Sequence, residues 1–228
     1  MAGVFERVYE VGPIFRAEPH DTPRHLNECV SLDAEMCFIE DHRDVLAVLR
    51  DVVAAMVEEA VAAGATPVVV LDEIPVIDFE QALEVAGAPR DEPDLAPAHE
   101  AAVGRWAAER HGSDFVFITG YPTAKRAFYT HPDPAQPERS RGFDLIFRGW
   151  EVCSGSQRLH RHDDYLAVMA ERGMDPEGFT GYLEAFRHGM PPHGGFAIGL
   201  ERFVARLMGK ANLREATLFP RDLNRLSP

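Results

Sequence analysis

Apolar side chains along this chain switch between alternating and helical spacing, and the switches mark its elements. Residues 4–18 are rich in β-branched and aromatic side chains and predict a strand pair or one bent strand. A polar stretch at 19–28 follows, holding His20, Asp21, Thr22, Pro23, Arg24 and His25. In 31–39, Leu32, Ala34, Met36 and Phe38 fall on one face, predicting a second strand and an antiparallel hairpin around a long polar loop. Val45, Leu49, Val52, Val53, Met56 and Val61 recur near helical spacing, so 43–63 is predicted helical, with Gly64 placed to end it. Residues 66–76 predict a strand, Asp78 and Gln81 a helix-starting cap, and the proline-bearing, acidic stretch 86–98 a surface loop.

Further along, 100–110 predicts a helix, 114–119 a strand, 131–141 an exposed loop and 143–152 one long strand. Helices follow at 163–172 and 182–188, then a glycine-rich strand at 194–199 that runs into a helix at 200–208. Hairpins mixed with helices predict an α+β fold with a largely antiparallel sheet.

The 228 residues include 46% hydrophobic and 26% charged positions, the balance of an ordinary globular chain. No apolar run approaches the ~20 residues of a membrane span, and the amino terminus lacks the zones of a signal peptide, so a cytoplasmic location is expected. Three cysteines, Cys29, Cys37 and Cys153, fit neither a disulfide framework nor a zinc spacing and are expected to be reduced thiols. A net charge of −14 argues against non-specific nucleic-acid binding by the overall field, though not against a local basic groove.

Three constellations carry candidate chemistry. On a strand, Arg16 and Glu18 would share a face, where they suit a phosphate and a donor of one nucleotide; the tetrapeptide alone favours a solvated cross-strand ion pair. Gly194, Gly195 and Gly199 lead into Leu200, Glu201 and Arg202, a glycine-rich approach to a helix start that favours anions, or simple packing. Glu151 and Ser154 are oxygen ligands suited to a hard cation, and Arg158 can grip a carboxylate with parallel hydrogen bonds; the same residues also suit a strand-to-turn junction. Asp33 and Glu35 share a strand face, open to acid–base or metal chemistry, whereas His160, His162 and Asp163 lack an evident fourth ligand.

Together these stretches resemble class II aminoacyl-tRNA synthetases, and within them the archaeal-type aspartyl enzymes. Val8-Tyr-Glu-Val-Gly-Pro-Ile-Phe-Arg-Ala-Glu18, followed by Thr22-Pro-Arg-His-Leu-Asn-Glu28, is similar to the family's motif 2; 195–203 resembles motif 3; Leu218-Phe-Pro-Arg-Asp222 resembles the aspartyl ending. The resemblance implies a class II antiparallel sheet flanked by helices, with 1–228 as one partial catalytic domain that begins at motif 2. Motif 1 and an anticodon-binding barrel are not in it. It implies that Arg16 binds the α-phosphate and the substrate carboxylate, that Ala17 and Glu18 hold the adenine side of ATP, and that Arg24, His25 and Leu26 form the loop covering ATP. Gly199, Leu200, Glu201 and Arg202 would contact ATP, with Arg202 near the γ-phosphate. Glu151 and Ser154 would hold Mg²⁺, Ser154 bordering the aspartate, and Arg158 would read the aspartate side chain.

In the family's mechanism the aspartate α-carboxylate attacks the α-phosphorus, pyrophosphate leaves, and the aspartyl group passes to transfer RNA. The expected partners are ATP, L-aspartate and tRNA(Asp), with tRNA(Asn) left open, and a homodimer in the full-length form. The family's substrate-contacting lysine aligns with Arg126, with Lys125 beside it, so either could serve. Three alternatives stay open: an asparaginyl-tRNA synthetase, a paralog that spends aspartyl-adenylate on a small molecule, and an inactive fragment acting as a binding module. The chain alone is expected to charge tRNA poorly.

Overall fold

The computed structural model describes residues 2–227. One turn of helix, α1 (Ala2–Phe5), precedes a single strand, β1 (Arg7–Phe15), which is hairpinned onto β2 (Glu28–Cys37) with Arg7 opposite Met36 and Phe15 opposite Glu28. Because β1 ends at Phe15, Arg16 and Glu18 lie in the loop beyond it and not on the shared strand face that alternation predicted. The predicted helix is α2 (His42–Ala62). Its amino end is closed by a capping box between Asp41 and Asp44, which satisfies backbone donors that the first turn leaves free. Val45, Leu49 and Val53 of α2 are fully buried at helical spacing, the stripe that docks it on the sheet.

The strand predicted at 66–76 is a correction. Val68 and Val70 pack on the core, but only β3 (Val76–Asp78) enters the sheet, parallel to its neighbour. Asp78 caps α3 (Phe79–Ala86), its Oδ1 accepting from the Gln81 N–H at 2.8 Å. After the loop comes α4 (Pro97–His111), which starts three residues before the prediction because Pro97 suits the first helical turn. Next stands β4 (Phe115–Thr119).

A second correction falls at 143–152, which is not one strand. β5 (Gly142–Phe147) and β6 (Trp150–Gln157) form a hairpin, turning at Arg148 and Gly149, whose φ angles are 46° and 82°. Glycine adopts that geometry freely, and Arg148 is held in it by its pair with Asp114, Nε to Oδ1 at 3.0 Å. The loop predicted exposed at 131–141 is exposed only at its tip; Ser140 is buried, and Pro132 bridges to Ser140. α5 (His162–Glu171), α6 (Thr180–Arg187), β7 (His193–Gly199) and α7 (Leu200–Leu207) complete the chain close to prediction.

The strand order is β1-β2-β7-β6-β5-β4-β3, with every pairing antiparallel except β3 with β4, as the α+β reading expected. One face carries the main core, where Met36, Cys153, Phe143, Phe147, Phe196 and Phe203 meet α2. On the other face, α3 and α4 cover only the end around Ile77, Val116, Ile118 and Ile146. Over β2, β7 and β6 that face bears Ser31, Asp33, Glu35, Ala197, Ser154 and Ser156, matched across the strands by register. Burial of one face thus leaves a polar floor on the other.

Close sheet packing depends on Gly155, where a Cβ would fall 2.3 Å from Phe143 Cζ and 2.6 Å from the Gly195 carbonyl oxygen. Gly155→Ala should therefore lower unfolding stability by about 3 kcal/mol, seen as a lower midpoint in denaturant with an unchanged slope.

Candidate active site

The cavity above this floor is built by three chain segments. The Arg16 N–H donates to the Asn27 carbonyl at 2.8 Å, so the 16–27 loop closes as a widened continuation of the β1–β2 hairpin. Within it the Thr22 hydroxyl meets His25 Nδ1 at 2.6 Å, and Arg214 braces the loop from the carboxy-terminal segment, donating to the Thr22 carbonyl at 3.1 Å and to Asp21 Oδ1 at 2.6 Å. Arg24 turns inward, paired with Glu100 of α4 and stacked 5.1 Å from the Trp150 ring centre. Burial, reinforced by Arg202 and Arg24 and opposed by Glu18, holds His25 below the ordinary histidine range.

At the junction of β7 and α7, Arg202 donates to the Glu151 carbonyl at 3.1 Å and stands 3.7 Å from the Glu151 carboxylate. Glu201 faces the other way in its interactions: both carboxylate oxygens accept the Val30 N–H, at 2.9 and 3.0 Å, which ties α7 to β2.

Glu151 and Ser154 share the cavity because β6 is irregular. Residues three apart on a regular strand point to opposite faces. Here the register shifts, Leu145 facing Cys153 but Ile146 facing Glu151, so Val152 is an extra residue. Val152 and Cys153 both enter the core, and Glu151 and Ser154 both line the cavity. The hairpin also sets Asp144 opposite Ser154. Arg126 spans them, Nη2 to Asp144 Oδ2 at 2.8 Å and Nη1 to Ser154 Oγ at 3.3 Å, with its guanidinium 3.8 Å from the Tyr121 ring centre. Lys125 beside it is exposed.

Glu151 is pushed up to about 7 by burial at the cavity floor and by Asp144 and Glu100, against the pull of Arg202 and Arg126. Its side chain keeps 36% exposure toward the cavity, and Asp144 Oδ1 is buried with no hydrogen-bond partner. Crowded carboxylate oxygens with an unmet acceptor suit a hard cation. Among the described residues no three His, Cys, Asp or Glu side chains converge as a protein-only metal cage.

Of the residues singled out in sequence, Arg16, Glu18, Arg24, His25, Leu26, Glu151, Ser154, Gly199, Glu201 and Arg202 line one cavity; Ala17 and Leu200 do not. Glu18 hydrogen-bonds His20, Oε1 to Nδ1 at 2.6 Å. Arg158, one residue past β6, lies in a neighbouring, more apolar cavity with Tyr129, Phe128, Tyr182 and Phe186. Its partner is Glu35, at 3.3 Å through both Nε and Nη2, and Ser156 Oγ at 2.6 Å; it does not brace Glu151. Asp144 and Glu100 escaped sequence reading. Asp144 could have been found from the 148–149 turn, which folds it back on Ser154, whereas nothing local marks Glu100.

A mixed seven-stranded sheet with an arginine and carboxylate cluster lining a cavity on one face, and a helix starting just after Gly199, is the class II synthetase arrangement. The family model for tRNA synthetases class II (D, K and N) matches residues 1–223, and the chain belongs to that family. It is 46% identical to the aspartate–tRNA(Asp/Asn) ligase of Thermus thermophilus, over 100% of this chain and 56% of that protein. Among solved structures it is similar to an aspartyl tRNA synthetase of Entamoeba histolytica, with TM-score 0.92 and 33% identity over 99% of this chain and 50% of that one. It is also similar to the asparaginyl-tRNA synthetase of Pyrococcus horikoshii complexed with asparaginyl-adenylate, with TM-score 0.86 and 31% identity over 100% of this chain and 55% of that one. The chain spans about half the length of the curated relatives it matches. No helix among the described residues is long and apolar enough to cross a membrane.

The raised Glu151 carboxyl has a stability consequence with a definite sign. The unfolded chain loses this proton near the ordinary value of 4.5 and the folded chain near 7, so ionisation opposes folding as pH rises between them. Glu151→Gln should be more stable than wild type above pH 7, with the difference closing as pH falls below 4.5, measured by denaturant titration across pH.

Proposed function

We propose that this cavity joins aspartate to ATP, forming aspartyl-adenylate, and that the protein passes the aspartyl group to transfer RNA as an aspartate–tRNA ligase. The observation that carries the reading is the convergence of Arg16, Arg202, Glu151 and Ser154 on one cavity, with Arg158 just past the end of β6 in the neighbouring one.

In this reading Arg16 sits between the two reactants, where it orients the aspartate α-carboxylate toward the α-phosphorus. A carboxylate oxygen forms the new P–O bond as the bond to the β-phosphate oxygen breaks and pyrophosphate leaves. No side chain acts as a nucleophile. Arg202, fixed by the Glu151 carbonyl, and Arg24 meet the negative charge of the outer phosphates, so rate comes from positioning and from donors already aimed at that charge. Glu151 and Ser154, with Asp144 beside them, would hold magnesium, which when bound neutralises phosphate charge. Arg126, turned toward Ser154 where Lys125 is exposed, is the candidate for the family lysine's role. The tRNA, the choice between tRNA(Asp) and tRNA(Asn), and a homodimer belong to the same proposal. So does a cytoplasmic site of action.

Arg158 is the proposed discriminator against asparagine. A guanidinium only donates, so it suits an acceptor-only carboxylate and leaves an amide NH₂ facing positive charge. A site built this way rejects a near-isostere by roughly 10⁴-fold. The test is amino-acid-dependent ATP–pyrophosphate exchange. Wild type should exchange roughly 10⁴-fold better with aspartate than with asparagine; Arg158→Lys should be weaker, and Arg158→Leu weaker still with most of the discrimination lost. Equal loss for both amino acids in Arg158→Leu would reduce Arg158 to a brace for Glu35.

A further inference from the structure

Glu100 is a buried carboxylate that neither the fold nor the proposed reaction explains. It is 7% exposed, at the first turn of α4, where an apolar residue would pack against the sheet at no cost in desolvation. Its Oε2 serves two donors at once. One is Arg24 Nη2, from the loop that covers the cavity; the other is the Glu151 backbone N–H, at 2.7 Å. These donors are 76 and 51 residues away in sequence and belong to different walls of the cavity. Arg24 is also confined by the Trp150 ring at 5.1 Å, and the adjoining cavity is lined by Arg24, His25, Glu100, Trp150, Glu151 and Arg202. Arg24 therefore has Nη2 fixed, no hydrogen bond from its Nε or Nη1 is found among the described residues, and it shares the cavity wall with Arg202.

We infer that Glu100 is a positioning residue for the triphosphate end of the nucleotide: it presets Arg24 for the outer phosphates and locks that placement to the strand segment carrying Glu151. The role rests on the ATP-site reading above. A preset guanidinium binds without first paying the rotamer entropy of a free arginine, and its link to the Glu151 amide keeps the arginine and the carboxylate in one geometry. Glu100 touches no substrate in this role; it acts through Arg24.

The test measures MgATP binding to the whole chain, together with Trp150 emission in a Trp106→Phe background, which leaves Trp150 as the sole tryptophan of the two. Glu100→Gln keeps the shape and an acceptor for the Glu151 N–H but lacks the charge that holds Arg24. It should weaken MgATP binding about tenfold and shift the ligand-free Trp150 emission toward that of Arg24→Ala. In an Arg24→Ala background, Glu100→Gln should cost nothing further, an outcome that loss of general packing would not give. Unchanged or tighter MgATP binding in Glu100→Gln, or full additivity with Arg24→Ala, overturns the inference while leaving the ATP reading intact. Failure of wild type to bind MgATP overturns both. Should Glu100→Gln not fold, Glu100→Asp, which keeps the charge but shortens the reach, gives the same comparison, with weaker MgATP binding supporting the role and wild-type binding overturning it.

Discussion

The extra residue at Val152 is the constraint on which the cavity depends. Alternation on β6 sends Cys153 and Gly155 into the core and Ser154 and Ser156 to the open face, and on an uninterrupted strand Glu151 would follow Cys153 inward. A carboxylate there would meet Phe147 and Phe203 with nothing to pair with, a cost far above any gain from pairing strands. The bulge turns Glu151 outward and lets Val152 take the core position, so one irregularity serves packing and chemistry together. Arg202 then holds this segment in place by donating to the Glu151 carbonyl.

The charges around the cavity follow a single pattern. Arg24 pairs with Glu100, Arg126 with Asp144, Arg158 with Glu35, and Arg202 stands beside Glu151. Each guanidinium that has lost water has a carboxylate to offset the loss, and each pair is fixed by a further hydrogen bond or an aromatic face. A chain of net charge −14 can thus present a row of donors to an anion without a basic surface, since the arginines are compensated from behind. Arg16 differs: it is exposed and makes no salt bridge among the described residues, so its whole charge is available to a ligand.

Much of this was legible in the sequence where a signal is local. The stripe from Val45 to Val53 gave α2, alternation through Leu32, Ala34 and Met36 gave β2, and the motif-like stretches brought together ten of the residues on the cavity wall. What failed were features that local pattern does not encode. The turn at Arg148 and Gly149 hid because it is flanked by Phe147 and Trp150, and the apolar run reads straight through it. Residues 66–75 have strand composition but lie beside the sheet, since β3 takes the edge position next to β4 with only three residues. The strand face predicted for Arg16 and Glu18 was lost because β1 stops one residue earlier, where the loop must widen to reach Arg214.

If Arg158 reads the amino-acid side chain as proposed, its pairing with Glu35 sets how finely it can do so. Their side chains rise from β2 and from just past the end of β6, the strands that flank β7, and the ion pair spans the narrow strip above Gly195, where a Cβ would come within 2.0 Å of Glu35 Oε2. A guanidinium held through Nε and Nη2 by Glu35, with Nη1 on Ser156, has its plane and its angle set before any ligand arrives. What remains is its face over Tyr129, at 5.2 Å, and the outer N–H directions. A side-chain carboxylate entering there meets donors that cannot rotate to suit an amide. In the proposed reading, selectivity then draws on the rigidity that Glu35 confers on the guanidinium as well as on its donor-only chemistry.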